Sequence, residues 1–427
     1  MRTRIITLFL LLFAYILLVS PSCDEQSDWI LGIPSFEDNR LIDLSDPLPY
    51  ENRSTIEGIY KVISGTSEFG DTLVLKASKD RISFYGLKQG AYCITEVGVY
   101  NESIMMEGYW RHILSDNTGL IRLYVNHSDS ILKHSTMFKT VSISGLYSSG
   151  NDEPNTPVEL KRIERFSEKL LEDDFLILAH RGGGRNSDRL PVSENSIEMI
   201  DYSEYLGATG VEVDVYITRD KIPVLYHDAE LNIRLIQKSP IMGRIEDYTY
   251  SQLKTFVKLI HGEEIPKLED ALQYVVKNTS LRLVWLDMKD YRALDEVVAI
   301  QKRYLEMASG SGRTLQILIG IPDDNVYNSM RSTLNFDKIP SLCELDFNKA
   351  LSIQSKAWAF MFTQGYHSQE VVQMHQKGVL CIPWTIDYPK YINLFTSYGG
   401  SNAAERFDGV LTNYPTILAY YHYVKHN

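Results

Sequence analysis

The amino-acid sequence predicts an α/β protein: a TIM-like barrel of eight βα units, preceded by a small all-β domain that is a sandwich or a barrel. Three observations carry this expectation. After residue 158, eight apolar strand-like runs alternate with helix signals. Between residues 55 and 147, short β-type runs follow one another without a convincing helix. Acids and bases gather where the strands of the second region end, and such barrels carry their sites at that end.

The chain opens on a targeting segment. Arg2 and Arg4 precede an apolar run, Ile5 to Val19, closed by Ser20, Pro21, Ser22 and Cys23. This is a signal-peptide pattern over residues 1–22, and the run is short for a membrane span. The small residue before Cys23 resembles a bacterial lipoprotein cleavage site, after which that cysteine becomes the lipidated first residue. The expected partner at this end is a membrane, reached through a lipid anchor at Cys23, in the cell envelope and facing periplasm or surface. Pro21 and Ser20 depart from the pattern, so plain secretion and a signal anchor stay open. Asp24 and Glu25 resemble surface-export tags.

The formal net charge is −12 over 427 residues, with no basic run beyond short pairs. That excludes a nucleic-acid partner, because phosphate backbones reward clustered Lys and Arg. The length suits two or three domains, or one large barrel plus a smaller module, and the 44% hydrophobic content is enough for their cores. Cys93, Cys343 and Cys381 are an odd set without close spacing, and read as small buried hydrophobes.

Residues 23–54 are polar and punctuated by proline, and read as a tether. The all-β domain at 55–147 has strand candidates such as Ile56 to Ile63, Arg81 to Tyr85, Ala91 to Val99 and Leu120 to Val125, separated by breakers such as "KQG" and "SDNTG". Tyr60, Tyr109 and Trp110 are either core residues or a binding platform for glycan, lipid or protein, and the ligand of this domain is not legible. Residues 148–157, with Gly150 and Pro154, read as a linker between two units that fold independently.

In the barrel region, 158–427, the strand candidates are Phe175 to Ala179, Val211 to Tyr216, Leu281 to Leu286, Leu315 to Ile319, Leu342 to Leu345, Trp358 to Phe362, Val379 to Trp384 and Gly409 to Thr412. Thr249 with Gln252 forms a capping box, and Leu268, Leu272, Val275 and Val276 recur at helical spacing. Ile222 to Tyr226 follows the second strand too closely for a parallel crossover and must form a hairpin with it. A four-residue loop at 218–221 sets His227 opposite Glu212 to within about two residues of register.

The chemistry-bearing residues sit at strand ends: His180 and Arg181 after the first, Glu212 and Asp214 on one face of the second, His227 and Asp228 after the hairpin arm. Asp287 and Lys289 close the third, Trp384 and Asp387 the seventh, and Asn413 the eighth. Glu212, Asp214 and Asp287 offer hard oxygen ligands suited to Ca²⁺ or Mg²⁺. An ion-pair network, with Arg181 or Lys289 neutralising the acids, is the other account of the same residues.

"LAHRGG", "SENS", "GATGVEVDVYITRDKIPVLYHD", "IPKLEDAL", "LDMK", "WTID" and "DGVLTNYP" occur in this order over residues 173 to 420. They resemble the glycerophosphodiester phosphodiesterase family. The resemblance implies a TIM-barrel enzyme that cleaves glycerophosphodiesters to glycerol 3-phosphate and an alcohol. It makes His180 and His227 the general acid and base, and Arg181 and Lys289 the phosphate-binding groups. Glu212, Asp214 and Asp287 become the cation ligands, with Glu194 as a further candidate and Trp384 in the substrate pocket. The chain departs from the family's pattern at Asp287, where Glu is usual, at Asn413, where Asp is usual, and in "AELNIRLIQ" after the second histidine. The stretch from Asp228 to Glu264 reads as too short for an inserted subdomain, which implies an open pocket. A phosphatidylinositol-specific phospholipase C-like enzyme and a non-catalytic envelope ligand-binding protein are the alternatives.

Overall fold

The computed structural model describes residues 30–36, 40–126, 141–400 and 402–427. The signal-peptide segment and Cys23 lie outside the described residues. No helix among the described residues is long and apolar enough to cross a membrane.

The first domain is a closed antiparallel barrel. Its strands are β2 (Gly58–Ser64), β3 (Thr72–Ser78), β4 (Arg81–Gly86), β5 (Ala91–Tyr100), β6 (Ser103–His112), β7 (Thr118–Val125), β8 (Ser142–Tyr147) and β9 (Thr156–Glu164). Each pairs with its neighbour in sequence, and β9 returns to β2, so no edge is left open. Alternation decides which side chains go inside. On β5, Ala91, Cys93 and Val97 face the interior, while Tyr92 and Ile94 face outward. The interior is packed solid by Tyr60, Phe69, Phe84, Trp110 and Tyr147, with Phe69 and Trp110 edge-on at 5.7 Å. Tyr60 and Trp110 are therefore core residues, not a binding platform. Cys93, Cys343 and Cys381 are buried free thiols, as their surroundings in sequence suggest.

Two boundaries differ from expectation. Part of the expected tether lies on the barrel: β1 (Asp46–Pro47) pairs with β5, and Leu48 joins the interior core. The expected linker is a tied-down turn, in which Gly150 N donates to Thr118 O at 2.8 Å and Ser148 N to Leu120 O at 3.0 Å. Strand β9 begins at its end, so the first domain runs on to Glu164. Turn residues and linker residues have the same composition, and only the pairing of β9 tells them apart.

The second domain has eight parallel strands: β10 (Leu176–Ala179), β11 (Gly210–Ile217), β15 (Leu283–Met288), β16 (Gln316–Ile321), β17 (Ser341–Cys343), β18 (Ala357–Met361), β19 (Leu380–Trp384) and β20 (Gly409–Thr412). They pair in that order, and β20 pairs with β10. Asp408 N to Cys381 O at 3.1 Å and Ile386 N to Leu411 O at 2.9 Å link β19 to β20 and complete the ring. The chain is a TIM-like barrel preceded by a β-barrel. The hairpin arm β12 (Pro223–Leu225) is present, one residue out of the expected register: Ile217 faces Pro223 and Val215 faces Leu225. The turn is five residues long, not four, so His227 lies beyond the paired segment and does not oppose Glu212 across it. Residues 228–265, with β13 (Glu230–Leu231) paired to β14 (Gly243–Arg244), have a small core of their own, including Leu231, Leu235, Ile245 and Leu253. This stretch is thus a folded flap beside the site, short as it is.

The two barrels share one apolar core. Val74, Tyr85, Tyr92, Ile94, Tyr109 and Ile113, on the outside of the first, pack in one cluster with Tyr205, Leu206, Ile417, Leu418 and Ala419 of the second. Gly207 marks the closest approach. A Cβ there would lie 2.8 Å from Ala419 Cβ and 3.1 Å from the Tyr85 ring, and its φ of +89° suits only glycine. Lys79 of the first barrel pairs with Asp201, and with Glu204 at 2.7 Å. Each buried aromatic or aliphatic side chain contributes about 1.5–3 kcal/mol, so separating the domains costs as much as a typical domain's net stability. Independent folding is therefore not what this interface supports. Calorimetry of the chain should show one cooperative transition; two resolved transitions would show that the barrels unfold separately.

Candidate active site

The strand faces that fill the lumen of the parallel barrel continue upward into its polar residues. Leu176 and Leu178 lead to His180, and Gly210 leads to Glu212 and Asp214. Leu283 and Trp285 lead to Asp287 and Lys289, Leu342 to Glu344, Leu380 and Ile382 to Trp384, and Leu411 to Asn413. The apolar members form the floor. Gly320 on β16 makes room for it, since a Cβ there would lie 2.6 Å from Trp285 Nε1 and 2.8 Å from Leu286 O.

Glu212, Asp214 and Asp287 each bring an oxygen within 4.8 Å of the others. Glu212 and Asp214 are buried. Lys289 Nζ pairs with Asp287 and lies 3.0 Å from Asp214 Oδ1. Burial, followed by the charges of Asp214 and Asp287, pushes the Glu212 carboxyl well above the usual range. Asp287 is also raised, first by burial. Burial acts the same way on Asp214, but Lys289, the histidines and Arg181 outweigh it and hold that carboxyl down. Glu212 Oε1 and Asp287 Oδ1 are buried with no hydrogen-bond partner among the described residues. Orphaned oxygens on converging acids are what a hard divalent cation takes as ligands, so the donor set fits Ca²⁺ or Mg²⁺. Glu194 is not one of the three. It accepts from Arg181 Nη1 at 2.8 Å, from Arg234 Nη1 at 3.1 Å and from Asn186 N at 2.7 Å. Two arginines draw it away from the other acids.

The histidines flank the acids. His180 Nδ1 meets Asn413 Oδ1 at 2.8 Å, and Asn413 Nδ2 donates to Asp387 Oδ2 at 2.8 Å, which fixes how the amide faces the ring. His180 Nε2 lies 3.6 Å from Glu212 Oε2. Burial, then Arg181, lowers the His180 pKa to about 4, so the ring is neutral near pH 7. His227 Nδ1 lies 2.6 Å from Asp228 Oδ1, and its Nε2 lies 2.7 Å from Arg181 Nη2. Arg181 thus reaches His227 and Glu194 with its guanidinium while its backbone N donates to Glu212 Oε2 at 2.8 Å. It does so from a left-handed backbone, φ +54°, which a non-glycine residue adopts only when its surroundings enforce it. Trp384 stands half-buried at the rim, where it can line a substrate pocket.

Two other acid–histidine groups, Asp173 with His422 and His426, and His375 with Cys381 and Asp408, lie toward the opposite end of the barrel. In each, the acid is hydrogen-bonded to a histidine, Asp173 to His426 at 3.1 Å and Asp408 to His375 at 2.9 Å.

The glycerophosphoryl diester phosphodiesterase family model matches residues 180–416, more than half of the chain. The chain belongs to this family. Among curated relatives, it is 28% identical over 141 residues to a glycerophosphodiester phosphodiesterase of Bacillus altitudinis, covering 31% of this chain and 54% of that one. It is 29% identical over 142 residues to human glycerophosphodiester phosphodiesterase 1, covering 31% of this chain and 39% of that one. The matched segment thus spans about half or less of these relatives. A solved glycerophosphodiester phosphodiesterase from Parabacteroides distasonis superposes with a TM-score of 0.47 at 20% identity, over 60% of this chain and 99% of that one.

Within this family member, two residues beside the acids go beyond those singled out from the sequence. Asn195 holds Asp214 from two sides: its Nδ2 donates to Asp214 Oδ2 at 2.7 Å, and its Oδ1 accepts from Asp214 N at 3.0 Å. It lies in "SENS", where it reads as a turn residue. Glu344 follows β17 on the lumen face, and burial, then Asp287, raises its carboxyl well above the usual range. Its lumen parity with Leu342 was the available signal. Asn195→Ala removes both bonds to Asp214 and places alanine at φ +60°. The expected cost is about 1–3 kcal/mol, read as a lower denaturation midpoint. An unchanged midpoint would show that Asp214 does not depend on Asn195.

Proposed function

We propose that this chain hydrolyses glycerophosphodiesters to glycerol 3-phosphate and an alcohol, with a divalent cation, Ca²⁺ or Mg²⁺, held by Glu212, Asp214 and Asp287. The observation that carries the reading is the placement of two oriented imidazoles and one guanidinium around three converging acids. A phosphodiester is anionic, so attack on it requires neutralisation. A bound cation would supply that by screening the phosphate oxygens. Arg181 is positioned to share the task, and Lys289 to balance the acids.

His180 and His227 then handle protons. The Asn413 amide oxygen favours a proton on His180 Nδ1, leaving Nε2 free to accept one from the nucleophile, a neighbouring glycerol hydroxyl or water. His227, oriented by Asp228 at Nδ1, is then the group placed to protonate the leaving alkoxide. Asp287, one methylene shorter than the family's usual Glu, would be the third carboxylate holding the cation beside Glu212 and Asp214.

A panel of glycerophosphodiesters should yield glycerol 3-phosphate, with activity lost to chelator and restored by Ca²⁺ or Mg²⁺. His180→Ala and His227→Ala should each lower turnover by about a hundredfold or more in folded protein. An inositol phosphate product, with full activity after exhaustive chelation, would instead indicate a phospholipase C-like enzyme. No turnover on any diester would leave a binding protein.

A further inference from the structure

The β-barrel has no part in the chemistry above, yet one of its side chains reaches the loop that carries much of the site. Arg111, at the end of β6, is 1% exposed, and it is directed away from its own barrel's core. Its Nη2 donates to Asp188 O at 2.9 Å, and its Nη1 donates to Arg189 O. A guanidinium presents a rigid planar fork of donors to two such carbonyls, whereas an ammonium has donors but no fixed fork. Asp116, in the turn after β6, adds an ion pair to Arg189 at 2.6 Å.

The clamped loop lies between β10 and the helix Ile197–Tyr205. Three of its non-glycine residues have left-handed backbones: Arg181 at φ +54°, Arg189 at +52° and Asn195 at +60°. Such strain costs about 1–3 kcal/mol per residue and persists only where contacts over-determine the conformation. Two paths of hydrogen bonds and ion pairs lead from the clamp to the site. On the first, Asp188 bonds Arg185 at 3.0 Å, Arg185 Nη1 lies 3.7 Å from Asp387, and Asp387 holds Asn413, the partner of His180. On the second, Asn186 exchanges bonds with Glu194 at 2.7 and 2.9 Å, and Glu194 holds Arg181.

We propose that the β-barrel serves as a clamp on this loop, with Arg111 the positioning residue that sets the placement of His180 and Arg181. The inference rests on the reading of those two residues as working groups. It gives the accessory domain a role in the site's geometry through its outer surface, while its interior stays a packed core.

The test uses the whole chain with Arg111→Met, Arg111→Lys and the surface variant Asp116→Ala. Two readouts are followed: hydrogen exchange of loop amides 185–195, and kcat and KM on a glycerophosphodiester. Arg111→Met should speed loop exchange and lower kcat by about ten- to a hundredfold, with KM changing less and the rest of the exchange map unchanged. Arg111→Lys should recover part of the loss. If Arg111→Met does not fold, Asp116→Ala decides, with faster exchange confined to the loop and a smaller fall in kcat. Parental exchange and kcat in a folded Arg111→Met, or in Asp116→Ala where that variant decides, would overturn the clamp. An inactive parent chain would instead sink the proposed activity, and loop exchange would still decide the clamp.

Discussion

Three carboxylates in the mouth of the parallel barrel set the terms for what surrounds them. At 4.8 Å, two unit charges repel by about 3–4 kcal/mol at an effective dielectric of about 20. Three such pairs together approach the net stability of an ordinary domain. Lys289 offsets part of this, and burial inclines Glu212 to hold a proton. A fold that keeps three acids this close without further positive charge gives up stability for nothing. The divalent cation proposed above would resolve the conflict and would also supply the charge an anionic diester needs. Arg181, both histidines and the flap at 228–265 are arranged around that point.

The barrel contributes placement, and the loops contribute the reach. Strand alternation aims Glu212, Asp214 and Asp287 into the lumen, because their Cβ directions follow from the sheet. His227 and Glu194 lie on irregular backbone and are held above all by the side chains of Arg181 and Arg234, with Asn186 N also donating to Glu194. Arg181 is common to both sets, since its backbone touches Glu212 and its guanidinium touches His227 and Glu194. Its strained backbone is a cost that the packed interface between the two barrels helps to hold in place.

Much of this was legible in the sequence for a physical reason. Lumen positions alternate with positions facing the helices, so all eight parallel strands announced themselves, and the polar residues at their ends followed by parity. Less legible was whatever depends on contacts distant in sequence. The turn at 148–155 has the composition of a linker, and only the pairing of Thr156–Glu164 with both neighbours reveals a strand of the first barrel. The hairpin register was missed by one residue because a five-residue turn and a four-residue turn look alike in sequence. Glu194 entered as a further candidate ligand through the family resemblance, but Arg181 and Arg234 claim it. Asn195 and Arg111 act through partners that no local pattern discloses.

The account depends most on the three acids sharing one cation, and calorimetric titration of the metal-stripped chain tests that directly. Ca²⁺ or Mg²⁺ should bind the parent with a stoichiometry near one, and Glu212→Gln and Asp287→Asn should each weaken that binding by about tenfold or more, the equivalent of about 1.4 kcal/mol. Binding of equal strength in parent and both variants, or no binding to the folded parent, would contradict it and leave Lys289 as the sole counter-charge of the cluster.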